Sequence, residues 1–149
     1  MKDKLYVSDY VTFHTIKDVL NTIFGKEYKS CQKSFWKINI LTDNPIKYMS
    51  APKLSKKTKD GELTSQTNSW LNELSDDWNS LYESMIDHSN LPDLNNELKQ
   101  GHQRAIFLKY KNSLGDNGYR FIGVYKLSDN DNPQMREYKR VAEEITIVK

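Results

Sequence analysis

Cysteine is nearly missing from this chain. The single Cys31 in 149 residues excludes an internal disulfide and a zinc site built on a cysteine cluster, and it fits a reducing, cytosolic setting. Long hydrophobic runs are also missing: no stretch approaches the roughly 18 apolar residues of a membrane span. The amino terminus, Met1-Lys-Asp-Lys-Leu-Tyr6, lacks the apolar core of a signal peptide, so a cytoplasmic protein with no membrane contact is expected. Neither sign of charge dominates, with 22 Lys and Arg against 20 Asp and Glu. A net charge of +2 excludes an acidic mimic of nucleic acid, and any nucleic-acid role must rest on a local basic patch. Hydrophobic residues reach only 37%, yet an aromatic content of 11%, with nine Tyr and three Trp, argues against disorder and for ring-lined grooves. With no repeat or low-complexity tract, the chain is expected to form a single domain over residues 1–149.

Periodicity then places the elements. Ile16, Val19, Leu20, Ile23 and Phe24 recur at helical spacing behind a Thr15/Asp18 cap and before Gly25, which predicts an amphipathic helix packed on a sheet. Phe35, Trp36, Ile38 and Ile40 make a strand, with a hairpin partner at 46–49 after the Asp43-Asn-Pro45 turn. Lys53, Lys56, Lys57 and Lys59 form a basic loop, read either as a solvated segment or as a phosphate contact. Trp70, Leu71, Leu74, Trp78, Leu81, Tyr82 and Met85 also fall at helical spacing, so a helix is predicted over most of 68–87, and a short further helix at 91–99. Residues 104–111 and 119–127 read as two strands of a hairpin around a Gly115/Gly118 turn, with Phe107 able to face outward. Tyr119, Phe121, Tyr125 and Leu127 are placed on one face, and Gly123 marks a bulge or a close backbone approach. The ending alternates again at Ile145 and Ile147.

Catalytic chemistry is hard to find. Asp93, Glu97 and Lys99 resemble a nuclease set in composition, but their spacing places them on one turn rather than on neighbouring strands. His14, His88 and His102 are scattered, and Cys31 has only Lys29 and Lys33 to activate it. Asp129-Asn-Asp-Asn132 starts like a calcium loop, but Pro133, Gln134 and Arg140 stand where ligands and glycine belong. Gly115 and Gly118 precede no helix, so they make no phosphate loop. Carboxylates at Asp76, Asp77 and Glu83 leave an enzyme reading open in principle, but no catalytic residue, metal or cofactor is assigned.

The motifs Phe107-x-Lys109-Tyr110, Tyr119-Arg-Phe-x-Gly-Val-Tyr-x-Leu127 and Tyr138-Lys-Arg-Val141 resemble the end of the PUA-like and SRA-like reader modules attached to restriction and HNH-type endonucleases. Asn21-x-x-Phe-Gly25 with Gln32 and Trp36, and Trp70-Leu-Asn-Glu-Leu-Ser-Asp-Asp77 with Tyr82-Glu83, are similar to companion motifs of that group, and the resemblance allows a strand and a loop over 68–87 in place of the helix that periodicity favours, with Asn72, Ser75 and Asp76 near the ligand pocket. The resemblance implies an α+β fold, a small curved and mostly antiparallel PUA-like barrel with flanking helices. It also implies a non-catalytic module that reads a modified base in DNA by flipping it between aromatic rings, in a restriction or anti-phage context. By motif position, Trp36 and Trp70 are candidates for the cage, Asn72 and Asp76 for contacts to the base edge, and Lys109, Arg120, Lys139 and Arg140 for the backbone, with Tyr110 and Tyr119 as further rings. The motifs stand without a nuclease motif beside them, which keeps a second reading open: a small phage or mobile-element protein that binds and inhibits a host defence nuclease through its rings and charges.

Overall fold

In the computed structural model, the residues described are 3–29, 33, 35–38, 43–57, 63–64, 70–87, 89–91, 101–111, 114–115, 117–128 and 132–147, without the side chains of 56, 57, 63, 64 and 117. Cys31, Gln32, Lys59, His88, the 129–131 part of the acidic turn, Val148 and the 92–99 segment with its carboxylates lie outside the described residues, so the readings placed on them stay there.

The chain runs β1 (Lys4–Tyr6), a 3-10 turn (Val7–Asp9), β2 (Thr12–Phe13), α1 (Ile16–Ile23), β3 (Phe35–Lys37), β4 (Ile46–Ser50), β5 (Lys56–Lys57) and β6 (Leu63–Thr64). It continues through β7 (Trp70–Leu74), β8 (Ser80–Met85), β9 (Gln103–Lys111), β10 (Asn117–Leu127), β11 (Met135–Ala142) and β12 (Glu144–Thr146). Among the described residues the main sheet has eight strands, in the order β3-β4-β9-β10-β11-β8-β7 with β2 added to β10. Its pairings are antiparallel except for β4 beside β9, which is parallel. Two small ribbons, β1–β12 and β5–β6, complete the strands. The order is open between β3 and β7, so among the described residues this is a mixed sheet rather than a closed barrel.

One helix, and not several, flanks it among the described residues, which corrects the α+β expectation. Thr15 Oγ1 accepts the Asp18 N–H at 3.1 Å, capping α1, and Ile16, Val19, Leu20 and Ile23 turn inward at helical spacing. They pack with Phe24, Met49, Ala105, Phe107, Tyr119 and Phe121 into a core on one sheet face. A second core of Leu81, Ile106, Ile122, Tyr125 and Tyr138 fills the other face. Phe107 is therefore fully buried against the helix and does not face outward, because β9 is covered on both sides.

Segment 70–85 is a β-hairpin rather than a helix. Its apolar residues fit either period, and the turn decides. Ser75 Oγ donates to Asp77 Oδ1 at 2.7 Å, the Asn79 N–H donates to the same oxygen at 2.9 Å, and the Ser80 N–H donates to Ser75 Oγ at 2.9 Å. Short polar side chains that bond their own backbone favour such a turn over a helix interior. Trp78 takes a left-handed backbone, φ 63°, to close it.

The bulge foreseen at Gly123 is present: the register between β9 and β10 shifts between Phe121 and Gly123. Tyr119 and Phe121 consequently face the helix while Tyr125 faces the second core, so the single-face grouping of these rings does not hold. Gly123 has φ 139°, and a Cβ there would lie 2.5 Å from Arg140 Cδ. Gly123→Ala is expected to cost about 2–4 kcal/mol from backbone strain and collision together. The control is Gly115→Ala, whose φ of 84° is also left-handed but whose Cβ meets nothing within 4 Å. It should cost only about 1–2 kcal/mol. Urea unfolding of both variants checks the difference.

Candidate nucleic-acid interface

The face away from α1 holds the candidate site. Arg104 on β9 is only 7% exposed, and its guanidinium carbon lies 4.7 Å from the ring centre of Phe35, 4.6 Å from that of Tyr138 and 5.9 Å from that of Tyr48. Phe35 is on β3 and Tyr138 on β11, four strand steps apart in the sheet order. In a flat sheet that separation is about 19 Å. Two rings so far apart in strand order can close on one carbon only because the sheet curls toward this face, which is therefore concave.

Glu83 on β8 completes the cluster. Its Oε1 stands 3.8 Å from Nη1 of Arg104 and 3.8 Å from Nη1 of Arg136. Both distances bring charge together without a hydrogen bond. Oε1 is buried and has no hydrogen-bond partner among the described residues. Register places Asn72 directly opposite Glu83 on one side and Arg136 opposite it on the other, while the Arg136 guanidinium covers the Trp70 ring at 5.7 Å. Phe35 stacks on Tyr48 at 5.2 Å, and Tyr48 meets His102 at 5.9 Å. The result is a ring-walled hollow in the curl of the sheet that holds two guanidiniums and one carboxylate, whose acceptor Oε1 is shielded from solvent and unpaired among the described residues. The rings help offset the cost of desolvating the guanidiniums.

The sequence-predicted residues are distributed unevenly around it. Trp70 and Asn72 line the hollow. Asn72 also ties β7 to the 53–55 segment, with its N–H on Ser55 Oγ at 3.0 Å, its O accepting from the Ser55 N–H at 2.9 Å, and its Nδ2 on the Lys53 carbonyl at 3.4 Å. Trp36 lies on β3, at the other edge of the sheet from Trp70, and packs against the helix-side core. Its Nε1 donates to the Lys33 carbonyl at 2.7 Å and its ring rests on Tyr28 at 5.3 Å. The two tryptophans therefore do not share a cage.

Asp76 is exposed in the β7–β8 turn, at the end of the hairpin away from Trp70 and Glu83. Tyr119 is buried in the helix-side core, and burial pushes its phenol up. The Tyr110 hydroxyl shares a 2.8 Å hydrogen bond with Thr12 Oγ1. Lys109 pairs along the strand with Lys53, and its N–H donates to the Pro52 carbonyl at 2.9 Å. Lys139 is exposed. Arg140 is occupied: it donates to the carbonyls of Ile122 at 3.2 Å and Asp77 at 3.4 Å and to Asn79 Oδ1 at 3.0 Å, and pairs with Glu143 at 3.4 Å.

Sequence reasoning missed Arg104, Arg136 and the Phe35–Tyr48 stack. A hairpin reading of 70–85, signalled by Ser75-Asp-Asp-Trp-Asn79, puts Asn72 and Glu83 side by side and points to them directly.

The Asp77 carboxyl lies below its ordinary range because the Asn79 backbone N–H and the Ser75 hydroxyl donate to it. Tyr125 anchors the same turn by donating its hydroxyl to the Trp78 carbonyl. Burial pushes that phenol up to about 12. A phenol raised in the folded state contributes stability that is complete below the unfolded value of about 10 and declines as pH rises toward 12. Wild type should therefore lose on the order of 2 kcal/mol more than Tyr125→Phe across that interval, read from urea midpoints at each pH.

The sequence pattern of the SET and RING associated (SRA) domain matches residues 1–147. Among solved structures, the 5-hydroxymethylcytosine-specific restriction enzyme AbaSI is similar at a TM-score of 0.78 and 25% identity, over 99% of this chain. The chain spans 43% of that enzyme's length. The curated proteins contain no match. With nearly every residue inside the matched pattern, and a curled sheet that superposes on a restriction enzyme, the chain belongs to the SRA family, whose domains bind DNA and read modified bases.

Proposed function

We propose that this chain is a non-catalytic module that reads a modified cytosine by taking it out of duplex DNA, in a restriction or anti-phage setting. The flipped base is held on the concave face among Trp70, Asn72 and Glu83. The observation that carries this reading is the Glu83 carboxylate, buried between two guanidiniums with Oε1 lacking a hydrogen bond. An ionised carboxylate can only accept. A buried acceptor left unmade costs about 1–3 kcal/mol, so the site favours a ligand that brings a donor. Cytosine presents its exocyclic amine, and a hydroxymethyl group adds an O–H. A concave, ring-walled hollow accommodates one extruded base more readily than a stacked pair. The similarity to a restriction enzyme specific for 5-hydroxymethylcytosine supports the same choice of base.

Glu83 thus takes the edge-reading role that motif position gave to Asp76. Lys109 and Lys139 are assigned to the DNA backbone, while Arg140 holds the fold.

Binding to duplexes carrying cytosine, 5-methylcytosine or 5-hydroxymethylcytosine across a salt series tests the reading. Wild type should prefer a modified duplex. Trp70→Ala and Glu83→Gln should each reduce that preference about tenfold or more, with the salt dependence retained. Trp36→Ala should lower stability and leave the preference intact. Absence of DNA binding even at low salt would overturn the reading and direct the search to a protein partner such as a defence nuclease.

A further inference from the structure

Two non-glycine residues among those described have a left-handed backbone, Tyr10 at φ 56° and Trp78 at φ 63°. They come from separate segments, the turn before β2 and the β7–β8 turn, yet both rings face one cation. The guanidinium carbon of Arg120 lies 4.4 Å from the ring centre of Tyr10 and 4.9 Å from that of Trp78. Bulky residues avoid this backbone region unless the surroundings enforce it, and such strain gathers at functional sites. The enforcement is visible. The Asp77 turn and the Tyr125 hydroxyl hold Trp78. The Tyr6 N–H bond to Asp9 at 2.9 Å and the Tyr10 N–H bond to the Val7 carbonyl at 3.4 Å hold Tyr10.

Arg120 differs from its neighbour Arg140, whose guanidinium donates to three protein oxygens. Nε of Arg120 is buried without a hydrogen-bond partner among the described residues, and the Tyr10 side of the bracket is open, with that residue 70% exposed. With two rings packed against it, the guanidinium has little of its face left to stack on a base. What remains is its planar edge of N–H donors, which matches a pair of acceptor oxygens such as those of a phosphodiester. Register sets Arg120 opposite Leu108, four residues along β9 from Arg104, so the bracket lies about 13 Å along the strand from the hollow.

We propose that Arg120, braced between Tyr10 and Trp78, grips one phosphodiester of the bound DNA and so sets the position of the strand relative to the base-reading hollow. The proposal rests on the DNA-reading function above, and it fails separately from the choice of base. It concerns one phosphate, not a diffuse basic surface.

Equilibrium binding of the full chain to a modified duplex, with a single neutral methylphosphonate moved along the backbone, tests it. One position should weaken wild type about tenfold and lower the salt slope by about 0.9. That substitution should add nothing in Arg120→Gln. Arg120→Lys should recover only part of the affinity, because an ammonium lacks the planar fork. Tyr10→Asn, which tolerates the left-handed backbone and removes the ring, should weaken binding at the same position. The scan on wild type is informative even where a variant fails to fold. A scan with no singular position, an Arg120→Gln variant equally sensitive to the substitution, or one with wild-type affinity and slope would overturn the clamp. Arg120→Gln should retain the preference for the modified duplex, whereas a wild type that binds DNA without any preference would sink the base reading alone.

Discussion

Curvature of the main sheet is the constraint on which the concave face depends, and it originates largely in β10. That strand breaks register twice within a few residues, against β9 between Phe121 and Gly123 and against β11 between Val124 and Tyr125. Each break adds twist and bends the strand. A third shift, between Ile46 and Tyr48, bends β4 against β9. Together they bring edge strand β3 and strand β11 around Arg104 and carry Tyr125 to the face that needs a hydroxyl at the Trp78 carbonyl. Arg140 then fastens the bend, its aliphatic part against Gly123 and its guanidinium on the Ile122 carbonyl.

The two faces follow different rules. Toward α1, packing is apolar, aromatic and closely interlocked, with Phe107 in edge contact with Phe13 and Phe24 at 6.0 and 6.3 Å. The concave face breaks those rules by holding one buried and one half-buried guanidinium against a half-buried carboxylate, with an unmade hydrogen bond, and by bracing a cation with two backbone-strained residues. Apolar residues of similar volume would pack such a face at lower cost. Local violations collected on one surface, opposite a face that obeys the packing rules, are the physical signature of a surface shaped for a ligand.

Much of the fold is legible in the sequence. The α1 stripe and its Thr15 cap, the β3–β4 hairpin, the β9–β10 hairpin and the Gly123 bulge all follow from local patterns that tertiary structure leaves intact. The 70–85 hairpin was obscured because its Trp, Leu and Tyr positions satisfy a helical period while being divided between two turn-linked strands. Of the proposed site, the sequence motifs point to Trp70 and Asn72. Arg104 was hidden for a different reason: its partners lie on β3, β8 and β11, and only the curl brings them together. Tyr119 and Arg140 looked like surface recognition residues because aromatic and basic side chains in a strand carry no local mark of whether the core or a bulge will claim them.

Pairing of β1 with β12 joins the two ends of the sequence, with Leu5 opposite Ile145 and both buried in the helix-side core. This contact links position 5 to position 145, so its loop-closure entropy is met only after the segment between them is in place. On the ribosome, β1 therefore lacks this partner until β12 has emerged. Leu5 and the face of α1 remain uncovered until the later strands emerge, and the concave face, whose strand β11 immediately precedes β12, is completed at nearly the same moment as β1 and β12 pair.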